Sequence, residues 1–266
     1  MKLLFTADLH GLEAAYISFA ETLRRERFDA GVLGGDLMTH FSPQEVDKLL
    51  DEAGLSQDDL LDELPAAKPE PALDSTPTPT STPSQSAADA VFARALERRA
   101  GELQSILERA RVPIFFIMGN DDGIVGGGIE WRSGDLLCSV NQRRVELGEF
   151  NIVGYQYTPP FIGGMFEKPE PEQVEDLCTL EPLIDEKTVL VTHGPPLGVL
   201  DGEQYGSRAL LSAIVRRTPW LHLFGHIHQS AGRIGNSING AFPPARQFVG
   251  IDLESRTSWA VDSGIG

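Results

Sequence analysis

The sequence predicts an α/β or α+β layered protein. Short apolar strands alternate with helical segments through the first part of the chain, and hairpin-like alternation takes over towards the end. Polar residues also follow directly where the predicted strands stop, which is where open α/β sheets hold their ligands.

Lys2 to Ala7 reads as a short apolar strand. Leu12, Tyr16, Phe19 and Leu23 then recur at helical spacing, with Arg24, Arg25 and Arg27 at the end of a helix, where cations are favoured. Asp29 to Leu33 is a buried strand ending in Gly34-Gly35-Asp36. Residues 43–64 read as an acidic helix with a solvated face. Residues 65–86 hold six prolines and too little apolar surface to offset the entropy of ordering. This is expected to be a disordered insertion in one domain spanning residues 1–266, because motifs fall on both sides of it.

Phe92, Leu96, Leu103, Ile106, Leu107 and Ala110 mark an amphipathic helix. The strand Val112 to Met118 follows and ends in Gly119-Asn120-Asp121-Asp122. Residues 143–155 read as a hairpin turning at Gly148-Glu149. Val189 to Thr192 is a strand that stops at His193-Gly194, and Ser207 caps a helix running to Arg217. Leu221 to Phe224 runs into Gly225-His226-Ile227-His228, and the remainder alternates as two or three strands.

Composition narrows the function. The 266 residues are 41% apolar, enough to bury a sizeable core. Cys138 and Cys178 stand 40 positions apart without a CxxC, so they read as buried or half-buried thiols rather than a disulfide or zinc framework. The start MKLLFTADLHG lacks the long apolar stretch of a signal peptide, and the longest apolar run, Ile114 to Met118, is far short of a membrane span. The expectation is a soluble, cytoplasmic protein without a membrane partner. A net charge of −17 with no basic stripe argues against nucleic acid. A small anionic substrate stays open, because two divalent cations would reverse the field inside one cleft.

Each polar corner has a bland reading alone. Asp8-Leu9-His10, Gly35-Asp36 and Gly119-Asn120 have the composition of turns or helix caps, and His193 could be a loop histidine. His226 and His228 are the strongest, since residues two apart on extended chain point the same way. Together they form a pattern: four of the six histidines sit in these corners, each beside a strand end. Imidazole, carboxylate and amide oxygen are the donors that a pair of divalent transition metals requires.

At these residues the chain resembles the calcineurin-like metallophosphoesterases. Their ordered motifs appear here as DLH (8–10), GD (35–36), GNDD (119–122), HG (193–194) and GHIH (225–228). The resemblance implies a four-layer αββα sandwich of two mixed β-sheets flanked by helices. It implies that Asp8, His10 and His228 hold one metal, that Asp36 bridges, and that Asn120, His193 and His226 hold a second. Mn²⁺, Fe and Zn²⁺ are the ions such members use. The implied reaction is hydrolysis of a small phosphoester by a hydroxide bridging the two metals.

One position departs from the family. A histidine that assists the leaving oxygen usually follows Gly-Asn, and here Asp121 stands in its place. An ionised carboxylate donates no proton and repels a monoester dianion more than a diester monoanion, so phosphodiesters are favoured and monoesters secondary. Asn120, Asp121 and His40 are the candidate catalytic residues, His40 being either a replacement acid or an exposed loop histidine. His222, inside a strand, reads as structural, and Asp122 as a residue orienting a ligand. The loops 156–171 and 123–134 are expected to border the cleft. The rival class is a protein-binding scaffold on the same fold, against which the retention of every ligand position speaks.

Overall fold

A computed structural model describes residues 1–38, 41–56, 87–122 and 131–265. The Pro-rich segment 65–86, His40 and residues 123–130 lie outside the described residues.

The first sheet begins with β1 (Lys2–Thr6), β2 (Ala30–Gly34), β3 (Ile114–Ile117) and β4 (Leu137–Ser139), which run parallel. β11 (Gln247–Asp252) pairs antiparallel with β1, and β12 (Thr257–Asp262) closes the edge, giving the order β12-β11-β1-β2-β3-β4. The second sheet is formed by β5 (Arg144–Leu147), β6 (Phe150–Tyr155), β7 (Thr188–Thr192), β8 (Leu221–Phe224), β9 (Gly232–Ile234) and β10 (Ser237–Asn239). Its order is β5-β6-β7-β8-β10-β9, parallel from β6 to β10 and antiparallel at both edges.

Three apolar cores define four layers. Leu3, Phe5, Val32, Ile117, Val191 and Leu223 meet between the sheets. Leu4, one position along β1, turns to the other face and packs with Tyr16, Phe19 and Leu23 of α1 (Glu13–Arg25) and Leu103 and Leu107 of α3 (Ala87–Glu108). Val153, Tyr155 and Leu190 on the second sheet pack against α4 (Glu170–Leu180) and α5 (Arg208–Arg217) through Leu177, Leu180 and Leu210. This side-to-side alternation along strands buried on both faces produces their near-continuous apolar sequence. Each fully buried Leu or Phe contributes about 1.5–3 kcal/mol. The αββα sandwich is the fold expected.

Local chemistry explains most boundaries. Ser207 caps α5 by accepting from the Leu210 N–H at 3.1 Å, and the 143–155 hairpin pairs Leu147 with Phe150 across Gly148-Glu149. Of the acidic helix expected over 43–64, α2 (Pro43–Ala53) opens on a Ser42/Glu45 capping box and stops at Gly54, whose φ of 68° is left-handed, while residues 57–64 lie outside the described residues. Helix α4 has no counterpart among the sequence expectations, because Pro169 and Pro171 read as loop. Proline in a first helical turn removes an N–H that lacks an intrahelical partner anyway. Strand β4 was likewise unexpected, and the C-terminal region holds four strands where two or three were expected. Cys138 is half-buried, but Cys178 is exposed on α4, a correction to the buried reading.

Candidate metal centre

Five parallel strands deliver the polar corners to one end of the sandwich. Asp8 and His10 follow β1, Asp36 follows β2, Asn120 follows β3, His193 follows β7, and His226 and His228 follow β8. The loops after β1 and β2 are laced together: the N–H groups of Asp8, His10 and Gly11 donate to the carbonyls of Gly35, Asp36 and Leu37, each at 2.9 Å. Asp8, His10, Asp36 and His226 all take positive φ, between 44° and 68°. Left-handed backbone costs energy in a side-chain-bearing residue and clusters where function over-determines the geometry. Two glycines permit close approach. A Cβ on Gly225 would stand 2.3 Å from Asp8 Oδ2, and one on Gly119 would stand 2.2 Å from Asp36 Oδ1.

The side chains gather into two adjacent groups. Asp8, His10 and His228 bring one donor atom each within 4.8 Å of one another, as do Asp36, His193 and His226. His10 Nε2 and His228 Nε2 are 3.3 Å apart, with Asp8 Oδ1 3.6 Å from His228 Nε2. In the second group His193 Nε2 lies 3.2 Å from Asp36 Oδ1 and 3.0 Å from Asn120 Oδ1. Asp36 lies between the groups, with Oδ1 towards His193 and Oδ2 4.0 Å from His10 Nε2.

Hydrogen bonds select the tautomers. His193 Nδ1 lies 2.9 Å from the Gly34 carbonyl, which can only accept, so Nδ1 donates and Nε2 faces the cluster. Burial opposes a charge on His193, but the adjacent Asp36 carboxylate outweighs it and raises the pKa to about 10. The same pairing holds Asp36 far below the usual carboxylate range against its own burial. His226 goes the other way, down to about 4, because it is desolvated and faces the His193 charge. Asp8 is fully buried and Asp36 nearly so, and among the described residues their ion-pair partners are all histidines. A buried ionised carboxylate is costly unless cations or hydrogen-bond donors face it. A donor set of imidazole, carboxylate and amide oxygens fits divalent metal ions at both groups.

A model of calcineurin-like phosphoesterases matches residues 1–230. The chain belongs to the calcineurin-like phosphoesterase family. UPF0046 protein K07C11.7 of Caenorhabditis elegans is 37% identical over 100 residues, which cover 36% of this chain and 34% of that protein. Metallophosphoesterase domain-containing protein 1 of Homo sapiens is 38% identical over 89 residues, 31% of this chain and 27% of its own length. The matches thus reach about a third or less of the length of these curated relatives. A solved dimetal phosphatase from Danio rerio superposes with a TM-score of 0.55 at 12% identity, covering 94% of this chain and 91% of that one, a likeness of fold. The family binds paired divalent metals, and the two donor groups here are candidates to hold them.

Against the family pattern, the carboxylate of Asp121 is turned towards His10, 3.2 Å from Nδ1. Its backbone N–H donates to Asp36 Oδ1 at 2.9 Å. Asp122 ties two loops together by accepting from the N–H groups of Met38 (2.6 Å) and Gly119 (2.7 Å). Burial and the Asp36 charge push its pKa up to about 7, a push that a cation beside Asp36 opposes. His222 is buried against the Thr192 hydroxyl at 2.8 Å, as its structural reading required.

Three residues near the site escaped the sequence reading. Glu167 accepts from the backbone N–H groups of Phe161, Ile162 and Gly163 at 2.8–2.9 Å and from Asn120 Nδ2 at 3.3 Å. It thereby turns Asn120 Oδ1 towards His193. Phe161 and Tyr205 line the same cavity of about 690 Å³ as His10, Asp36, Asn120 and His226. No local motif announces them, because they become neighbours of the metal donors only through folding; the one signal was that loop 156–171 was expected at the cleft.

Proposed function

We propose that this chain is a metal-dependent phosphoesterase that cleaves small phosphodiesters in preference to monoesters. The observation that carries the reading is Asp36 set between two donor groups, one carboxylate oxygen turned to each. Asp8, His10 and His228 would hold one ion and Asn120, His193 and His226 the other, with Asp36 available to both. Their nitrogen and oxygen donors suit Mn²⁺, Fe or Zn²⁺. Metals bound there supply Lewis acidity at the phosphoryl oxygens and lower the pKa of water.

The chain's own residues do the rest. Asp121 holds the Nδ1 proton of His10, keeping the Nε2 lone pair on the metal side. Glu167 holds the Asn120 amide with its oxygen inward. Asp121 also supports the diester preference, since it and Glu203 line a cavity whose described residues include no Lys or Arg. A second negative charge on the substrate would meet repulsion there without a compensating side chain. A reducing, cytoplasmic setting accords with the two free cysteines.

The test is a Mn²⁺-supplemented panel of bis-p-nitrophenyl phosphate, p-nitrophenyl phosphate and 2′,3′- and 3′,5′-cyclic nucleotides. Higher kcat/KM on the diesters is expected. Equal or greater turnover of the monoester removes the diester preference. No turnover with Mn²⁺, Fe or Zn²⁺, and no metal bound, removes the enzyme reading in favour of a scaffold.

A further inference from the structure

Beside the metal donors the cavity carries an aromatic wall. Phe161 and Tyr205 meet edge to face, with ring centroids 5.2 Å apart at 90°, and Phe161 also stands 4.7 Å from the His226 ring at 71°. Phe161 and Tyr205 are 47% and 50% exposed, and the neighbouring Ile162 is 60% exposed. Large apolar side chains left this open beside a polar centre mark a binding surface.

The wall is built, not incidental. Glu167 gathers the N–H groups of Phe161, Ile162 and Gly163, so the loop is shaped by backbone hydrogen bonds while its apolar side chains stay outside the core. Gly164 lets that loop press on the Asn120 carbonyl, which a Cβ there would approach to 2.2 Å. On the other side, Tyr205 N–H donates to the Asp201 carbonyl at 3.2 Å, and Gly202 lies close enough to Ile227 that a Cβ would come within 2.9 Å of it. Two loops, each seated against a loop that carries metal donors, therefore present one aromatic ring apiece.

We infer that Phe161 and Tyr205 form a subsite for an aromatic ester arm of the phosphoester, an inference that rests on the phosphoesterase reading. Two rings at right angles accept a third ring edge-to-face or offset-stacked, at centroid separations of about 4.5–7 Å. An anionic arm is disfavoured: Glu203 and Asp121 are acidic, and the described wall offers no Lys or Arg. The volume, about 690 Å³, exceeds what one phosphoryl group fills and falls in the range that encloses a whole small ligand.

Methyl, cyclohexyl and phenyl p-nitrophenyl phosphates test this, since all three release the same p-nitrophenolate and differ only in the arm that stays. Each enzymatic kcat/KM is divided by that ester's own alkaline hydrolysis rate. The phenyl ester is expected to exceed the methyl ester by up to about tenfold, with cyclohexyl between them. Tyr205→Ala should bring the phenyl-to-methyl ratio towards one and Tyr205→Phe should keep it. A wild-type ratio near one, cyclohexyl equal to phenyl, or a ratio unchanged in Tyr205→Ala overturns the subsite. Binding of diphenyl against dimethyl phosphate to Mn²⁺-loaded wild-type protein reads the wall without turnover or a variant. Tighter diphenyl binding with no hydrolysis sinks the phosphoesterase reading and keeps the subsite; equal binding sinks the subsite alone when hydrolysis is present, and both when it is absent.

Discussion

The carboxylate of Asp121 stands 3.2 Å from His10 Nδ1, on the opposite side of the imidazole from the Nε2 that faces His228 and Asp36. Burial works against a charge on His10, yet the hydrogen bond to Asp121 and the charges of Asp36 and Asp8 raise its pKa. A histidine held in this way has one tautomer and a more basic outer nitrogen, as in carboxylate–histidine–metal triads. Asp121→Asn is expected to weaken binding at the Asp8, His10 and His228 group by about 10–100-fold. Titration calorimetry with Mn²⁺, supported by the Co²⁺ absorption spectrum, reads the loss; unchanged affinity for both ions would show that Asp121 orients nothing.

The same residue bears on substrate choice. Asp121→His replaces an anion facing the cavity with a group able to donate a proton, so monoester turnover should rise relative to diester turnover. The ratio of kcat/KM on p-nitrophenyl phosphate to that on bis-p-nitrophenyl phosphate measures it. A flat ratio would remove charge at this position as a cause of selectivity.

Gly225 lies against Asp8 so closely that any side chain must displace one of them. Gly225→Ala should abolish stoichiometric binding of one of two ions while the far-ultraviolet circular dichroism stays that of the wild type. Two ions still bound at wild-type affinity would show that the loop can yield.

Glu167→Ala removes the acceptor of three backbone N–H groups and of the Asn120 amide. The cost in stability is expected at about 1–3 kcal/mol. Hydrogen exchange should quicken at Phe161, Ile162 and Gly163, and the second ion should bind more weakly. Exchange rates equal to the wild type would mean that the loop is held by other contacts.

Metal binding should be strongly pH-dependent. The pKa of His193 is raised to about 10, so without metal its imidazole carries the extra proton throughout the neutral range, and a metal must displace it. Affinity therefore rises with pH up to about 10, by as much as tenfold per unit from this group. Mn²⁺ titrations in buffers of different ionisation enthalpy should report about one proton released per ion at the second group; no buffer dependence would contradict the coupling.

Much of this was legible in the linear chain because chemistry and local geometry coincide there. A short, near-continuous apolar strand that stops at Asp, His or Gly-Asp announces its corner, so Asp8, His10, Asp36, Asn120, His193, His226 and His228 stand out one after another. Ser207 and Gly148 mark element boundaries for the same local reasons. Helix α4 hid behind Pro169 and Pro171, and α2 seemed longer than it is, since Gly54 can end a helix or be tolerated within one.

The sequence by itself determined the layered fold, the family and the residues that bear donors, since these depend on periodicity and residue type. Only the tertiary structure decided that Asp121 faces His10 and that Glu167 holds Asn120. Those relations join residues 111 and 47 positions apart. Which atom meets which across such distances follows from how the strands align in two sheets, and no local pattern of residues encodes it.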